Sequence, residues 1–424
     1  MERRFEIRKR ELLEQCEVKR DLFSGVLERL GAFAKPYLAR MVRSEQREHT
    51  HRYLGGLLSD LERKNVEAIA YLHDQDRKGL QHFIRDGAWD HRPLLGVLAG
   101  QVKDGLGEED GVIVFDPSSH AKKGIESVGV KRQWCGRLGK IENCQVGIYM
   151  GYASRKGHAL VDTRLYLPGE WTRDRKRRRK AGVPREVRFR TRHALALEML
   201  REKGQTLPHK WVTGDAEMGR SGRFRRELRE SGETYLLAVP SNTTIRDFEG
   251  DSPLWSGQGR KPKRRYERVD GWCRLQPQGA WTRIDVRNGE KGPIVIECLK
   301  KRVQARTERR HVGPEELFFA TRERQSDGSW KHDYCLSNAA SDTPLEELAR
   351  VANAEHRIEH CFQRSKSEAG MSQYEVRTWT GWHHHQTLSI IATWFLVIEQ
   401  MRGEKTDACD QRPADPSWPR SVVA

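Results

Sequence analysis

Between Gly111 and Pro240 the chain changes its residue pattern in an order that few folds accept. GVIVFD, a short run of β-branched and apolar residues, is followed by two longer strand-like segments, NCQVGIYMGYAS and ALVDTRLYLP. Then TRHALALEML, from Thr191, carries apolar residues at helical spacing; KWVTGD reads as a strand, GRFRRELRES as a helix and TYLLAVP as a strand. Three strands in succession predict an antiparallel meander, to which the later strands and helices add.

Strand, strand, strand, helix, strand, helix, strand is the order of a ribonuclease-H-like sheet, so the fold class expected is α/β. Upstream, residues 1–105 read as an all-α domain, with helical spacing in ELLEQCEVKRDLFSGVLERLGAFAKPYL. Ser59 and Glu62 form a candidate capping box before LERKNVEAIAYL, and a polar DQDRKG turn leads on to GLQHFI and WDHRPLLGVLAGQV. That arrangement fits a helix-turn-helix and equally any small helical bundle. The sheet segment is assigned to 106–240. Residues 241–338, with Gly, Pro, Trp and basic residues around PIVIECLKK and EELFFATRE, read as a β-rich insertion. Helices return over 339–402, in TPLEELARVANAEHRIEHCFQRSKSEAG and the apolar HHQTLSIIATWFLVIEQM, and 403–424 reads as a disordered tail.

Charge narrows the partner. Lys and Arg number 77 against 60 acidic residues, a net charge of +17 in 424 residues. Such an excess favours a polyanion, nucleic acid first, although a basic protein that is merely soluble or ribosome-associated has the same balance. The eight cysteines form no CxxC pair, so neither a disulfide framework nor a zinc ribbon is indicated. No run of about 18 apolar residues occurs and the first residues, MERRFEIRKRELLEQ, are charged. The expectation is a protein of the cytoplasm, associated with the nucleoid, with no membrane partner.

Two acids close strands: Asp116 ends GVIVFD and Asp215 ends KWVTGD. Carboxylates at strand ends in an α/β core are rigidly held at its working edge. A third acid, Glu359, lies on a late helix with Ile358 and Phe362 facing the core. Three oxygen ligands, completed by waters and phosphate oxygens, suit a pair of Mg²⁺ ions, with Mn²⁺ as the alternative. Taken singly, an Asp after a strand is more often a turn former or a helix cap.

The flanks of these acids resemble the DDE-type insertion-sequence transposases, the DDE superfamily endonucleases related to hairpin-forming bacterial elements. The likeness rests on VIVFDPSSHAKKGIESVGVKRQWCGRLGKIENCQVGIYMGYAS around Asp116, on WVTGDAEMG around Asp215, and on AEHRIEHCFQRSKSEAGMSQYEVRTWTGWHHHQTLSIIATWFL around Glu359. It implies a ribonuclease-H-like catalytic domain, a β-rich insertion between the second Asp and the Glu, and Mg²⁺-dependent cleavage and strand transfer at the inverted-repeat ends of an element. In that reading Asp116, Asp215 and Glu359 are both the catalytic residues and the metal ligands. Double-stranded DNA, as element ends and target, is the partner, and the chain works as a homo-oligomer on it. Of the family's Tyr, Arg, Glu, Lys signature, Glu359 and Lys366 match, seven residues apart on one helical face. Ala352 stands at the Tyr position and Glu355 at the Arg position, with Arg357 as the candidate substitute. A metal-dependent nuclease without strand transfer, and an inactive or domesticated DNA-binding protein, are the rival readings.

Basic residues cluster after the first Asp: Lys122, Lys123, Lys131, Arg132, Arg137 and Lys140 are assigned to DNA phosphates near the scissile bond, against the alternative of a solvated loop. RDRKRRRK, from Arg173 to Lys180, either tracks the DNA backbone or forms a mobile loop, and GQGRKPKRR either enters a minor groove or is a plain surface loop. Trp255, Trp272 and Trp281 are expected in packing rather than on a flipped base. His383, His384 and His385 point in different directions on a helix, so packing is favoured there over a metal; Glu217 is a spare carboxylate beside Asp215.

Overall fold

A computed structural model describes residues 25–410, apart from 75, 251–254, 261–263, 290–291 and 307–310. The first 24 residues of the helical N-terminal segment, part of GQGRKPKRR, and residues 411–424 therefore lie outside the described residues. The chain is mixed α/β, built on one large mixed sheet with twelve strands among the described residues.

The core of that sheet comes from the predicted segment. Strands β1 (Val112–Ala121), β3 (Lys140–Ser154) and β4 (Gly157–Leu165) form the antiparallel meander, and β5 (Trp211–Gly214) and β6 (Tyr235–Ala238) run parallel to β1. The spatial order is β4, β3, β1, β5, β6. An additional strand, β2 (Lys131–Cys135), pairs with the start of β3 and was not expected. β1 also runs on past Asp116, through Pro117, to Ala121. The proline is tolerated because β5 pairs only with 112–115; beyond that point β1 has β3 on one side alone, and no ladder hydrogen bond is lost on the open side.

Residues 241–338 do not stand apart as a separate body. β7 (Thr244–Asp247), β8 (Glu267–Arg268), β9 (Thr282–Gly289), β10 (Gly292–Arg306), β11 (Val312–Arg324) and β12 (Trp330–Ser337) extend the same sheet, with β12 hydrogen-bonded to β6. Alternation explains how one set of strands serves two cores. On β11, Leu317 and Phe319 enter the main core, while Phe318 and Ala320 enter a second cluster with Val269, Trp272 and Trp281, beside the short helix Val269–Arg274. Trp272 and Trp281 are thus in packing, whereas Trp255 is exposed.

The N-terminal helices share the main core too. In the described part they are α1 (Val26–Leu38), α2 (Ser44–Leu57), α3 (Val66–Leu72), α4 (Arg77–Arg85) and α5 (Arg92–Leu106). α3 starts later than the capping box at Ser59 and Glu62 predicted: Asn65 is the cap, its side chain accepting from the Ala68 amide at 2.8 Å, while the Ser59 hydroxyl donates to the Gly56 carbonyl at 2.7 Å. α2, α4 and α5 pack on the long C-terminal helix Trp379–Asp410, which also lies against β4. That helix extends through 403–410, where a tail was expected. His383, His384 and His385 sit buried at this junction. The His384 ring stacks on Trp89 at 3.5 Å with its nitrogens 3.0 and 2.9 Å from the Ile84 and Trp89 carbonyls, and His385 meets the Tyr53 hydroxyl at 2.8 Å. No helix among the described residues is long and apolar enough to cross a membrane.

Candidate active site

Strand alternation decides where Asp116 points. Phe115 packs edge-on against Phe224 on one face of the sheet, so its neighbour Asp116 belongs to the other face. There Asp116 is paired across the ladder with Tyr149, whose ring meets Phe362 of α6 (Leu345–Ser367) at 5.0 Å. Helix α6 lies across this face, and a close approach fixes it: a Cβ on Gly151 of β3 would stand 2.5 Å from Ile358 Cδ1.

Asp215 is set by the neighbouring strand. Phe115 and Gly214 are in register on the parallel pair β1 and β5, so Asp116 and Asp215 leave adjacent strands side by side. Asp215 caps the four-residue helical turn Ala216–Gly219, its carboxylate accepting from the Met218 amide at 3.0 Å. That turn is pressed onto β6, where a Cβ on Gly219 would come within 1.8 Å of the Ala238 carbonyl oxygen. Glu217 is held beside it by Arg192, which donates to it at 2.6 Å and borders a cleft with Pro117, Ser119, Trp134 and Asp215.

Burial and mutual charge act on the acids in different ways. Burial, and after it the charges of Asp215, Glu355 and Glu359, hold the Asp116 carboxyl well above the usual carboxylate range, with Lys366 opposing. Burial pushes Asp215 up to about 6, against the Met218 amide, which favours its charged form. Glu355, one helical turn before Glu359, is pushed up to about 8 by burial and by Asp215. Glu359 behaves differently. Its side chain is 60% exposed and lies 3.4 Å from His356 Nδ1, which holds its carboxyl below the usual range against a smaller effect of burial. Among the described residues no group of three or more His, Cys, Asp or Glu side chains is placed so as to hold a metal ion. Asp116, Asp215 and Glu359 offer oxygen donors alone, the donor type that a hard divalent cation takes.

The other sequence-assigned residues separate. Lys366, on α6, favours the charged form of Asp116 through its own charge, and its ammonium lies 5.2 Å from the centre of the Phe362 ring. Arg357, half a helical turn away from Glu355 and Glu359, donates to the Ser154 carbonyl at 2.6 Å, at the end of β3. Lys122 is turned inward, donating to the Tyr374 carbonyl at 2.9 Å with its ammonium 3.3 Å from the centre of the Tyr374 ring. Lys131 pairs with Glu170 at 2.6 Å and Lys140 with Glu142 at 3.4 Å, while Lys123 and Arg132 are exposed. The Arg137 side chain lies outside the described residues. The basic block is a capped helix, Arg175–Lys180, rather than a loop, with Arg177 stacked on Trp171 at 3.7 Å and Arg178 donating to the Pro184 and Val187 carbonyls.

Sequence reasoning noted Glu355 only as a departure from a signature, and passed over Arg192, which holds Glu217 beside Asp215. The spacing of Glu355 from Val351, Ile358 and Phe362 was the one available signal that it faces inward.

The profile of the family described as DDE superfamily endonuclease matches residues 36–293, a span that includes Asp116 and Asp215 and ends before α6. A protein of Microchaete diplosiphon, described as a probable transposase for insertion sequence element IS701, is 30% identical over 193 residues, 44% of this chain and 47% of that protein. The chain thus spans about half the length of this curated relative. Among solved structures, a piggyBac transposase synaptic complex with hairpin DNA aligns over 92% of this chain and 75% of that one, at a TM-score of 0.42 and 11% identity.

Proposed function

Because the chain belongs to the DDE superfamily endonucleases, we propose that it is the DNA transposase of an insertion sequence, cutting and joining DNA at the element's inverted-repeat ends. The observation that carries this reading is the placement of Asp116 and Asp215 side by side on neighbouring parallel strands, beneath a helix bearing Glu359. The order β4, β3, β1, β5, β6 supports a ribonuclease-H-like core for residues 106–240, completed by 339–402.

Asp116, Asp215 and Glu359 would hold two Mg²⁺ ions, which when bound would supply the charge that activates a water or 3′-hydroxyl and stabilises the leaving oxygen. The protein's own share is positional. β1 and β5 hold two carboxylates rigidly, and Lys366 on α6 offers an ammonium to a phosphate oxygen beside them. Arg192, bound to Glu217, orders the Asp215 edge. Lys123, Arg132 and the exposed residues of the helix Arg175–Lys180 track the DNA backbone in a sequence-independent way. The N-terminal helices read the terminal repeats, and two copies act together so that both ends are cut and inserted. The nucleoid is the place of action.

The test is a plasmid carrying the coding region with its natural flanks, incubated with the protein and Mg²⁺, alongside pre-cut ends to score joining. Nicking and joining are expected from the wild type, with a loss of several orders of magnitude in D116N, D215N and E359Q. Cleavage that survives all three substitutions refutes the assignment, and cleavage of pre-cut ends' target without joining reduces the protein to a nuclease.

A further inference from the structure

Trp134 stands out on the hairpin formed by β2 and the start of β3. Its side chain is 58% exposed, and its cross-strand partner Ile141 and the turn residue Leu138 are exposed beside it. Alternation puts Arg132, also exposed, on the same face of β2. Among the described residues no aromatic ring, cation or hydrogen-bond acceptor partners the indole. Single exposed apolar residues are ordinary, but three together form a patch that marks a contact surface.

Two observations bear on what covers this patch. The first is its position: Trp134 lines, with Pro117, Arg192, Asp215 and Arg220, a cleft of about 590 Å³. Ala216, next to Asp215, lines both this cleft and the one that holds Glu359, so the two meet at the turn that Asp215 caps. The second is charge. Residues 131–143 hold four basic residues, Lys131, Arg132, Arg137 and Lys140, against one acid, Glu142. A polyanion complements that surface, whereas a second copy of a chain with a net charge of +17 does not. An aromatic face beside cations is the combination that takes up nucleotides, the base stacking while the cations hold the phosphates.

The indole is also held in place. Arg192 donates to Gln133, the neighbour of Trp134, at 3.1 Å and to Glu217, on the turn that Asp215 caps, at 2.6 Å. Gln133 in turn donates to the Cys144 carbonyl across the hairpin at 3.0 Å. The strand bearing the indole is thereby tied to the Asp215 turn, so little freedom is lost when a ligand settles on it. A base inside a duplex is covered on both faces by its neighbours; only one taken out of the stack can lie on an indole.

We propose that Trp134 is the stacking platform for an unpaired base of the DNA strand that passes Asp215, so that the substrate is DNA with its pairing opened beside the reacting phosphate; this rests on the transposase reading above.

The test uses the full chain without divalent cation and two fluorescent strands of about ten nucleotides, an oligothymidylate and its abasic analogue, which keeps the phosphates and lacks the bases. Anisotropy gives the affinities. The wild type should hold the thymidylate about tenfold more tightly than the abasic strand; W134A should lose about tenfold on the thymidylate and less than about threefold on the abasic strand, and W134F should keep most of the wild-type affinity. The stacking role is overturned, with the DNA reading left standing, by equal wild-type affinity for the two strands, by a W134A loss on thymidylate below about threefold, by equal losses on both strands, or by W134F as weak as W134A. W134A that binds as wild type yet sediments as a smaller species assigns the patch to contact between copies and overturns the proposal too. A wild type that holds neither strand overturns the DNA reading itself, and the platform with it. Should W134A not fold, W134L, which keeps an apolar side chain without an aromatic face, is read by the same limits.

Discussion

One buried ion pair helps to join the β-rich segment to the strands that carry Asp116 and Asp215. Arg225, on the helix Gly222–Glu230, donates from Nε to Glu316 Oε1 of β11 at 2.8 Å, with side-chain exposures of 6% and 0%. Tyr235 of β6 donates to the same oxygen at 2.7 Å, and a second Arg225 nitrogen is bonded to the Gly219 carbonyl, at the end of the turn that Asp215 caps. E316Q leaves the guanidinium buried without its counter-charge, and R225M leaves the carboxylate with Tyr235 alone. Breaking a buried pair from one side costs about 3–5 kcal/mol, because the stranded charge keeps its desolvation penalty and loses its Coulombic return. Replacing both partners with apolar residues of similar volume removes the penalty as well, so R225M/E316L should lie within about 2 kcal/mol of wild type. The coupling energy of the cycle should therefore exceed about 2 kcal/mol. Urea unfolding followed by tryptophan fluorescence measures it, since Trp211 reports the core and Trp272 and Trp281 the second cluster. Single substitutions costing under about 1 kcal/mol, or a double variant as unstable as the sum of the two, would refute the argument that this pair joins the two regions.

Two further outcomes follow from local geometry. Burial pushes the Lys122 ammonium down to about 8 from its ordinary 10.5, so between those pH values the unfolded chain holds more protons than the folded one. The stability of wild type relative to K122M should rise as pH goes from 8 to 10.5, and a difference that stays flat by denaturant melts defeats this. In G219A the new methyl collides with backbone at Ala238, so the turn must shift and carry Asp215 with it. A loss of about 1–3 kcal/mol together with reduced Mg²⁺-dependent cleavage is expected, and wild-type stability with wild-type cleavage would contradict the close packing.

Much of this was legible along the chain because it depends on local periodicity. The runs around Val112, Val146, Leu160, Trp211 and Leu236 became strands, and the helices from Thr191 and Ser221 became their connections, since period-2 and period-3.6 patterns state which face is apolar. Asp116 and Asp215 were readable for the same reason: each follows the last residue of the paired run Phe115 and Gly214. Boundaries were less readable. Ser59 and Asn65 are both competent caps, and only the packing of Ile69 and Ala70 into the core selects the second.

What only the tertiary structure decided concerns partners rather than patterns. An alternating strand announces two faces but not what lies against each, so β11 could not be known to join two cores through Leu317 and Phe318. A lysine in a basic run is a phosphate ligand or an inward anchor according to what stands opposite, and for Lys122 it is the Tyr374 carbonyl, 252 residues away. Glu355 and Glu359 are the same residue type on the same helix. Helical spacing marks Glu355 as lying on the stripe of Val351, Ile358 and Phe362, but what stands opposite that stripe, Gly151 and Tyr149 of β3, is decided by long-range packing.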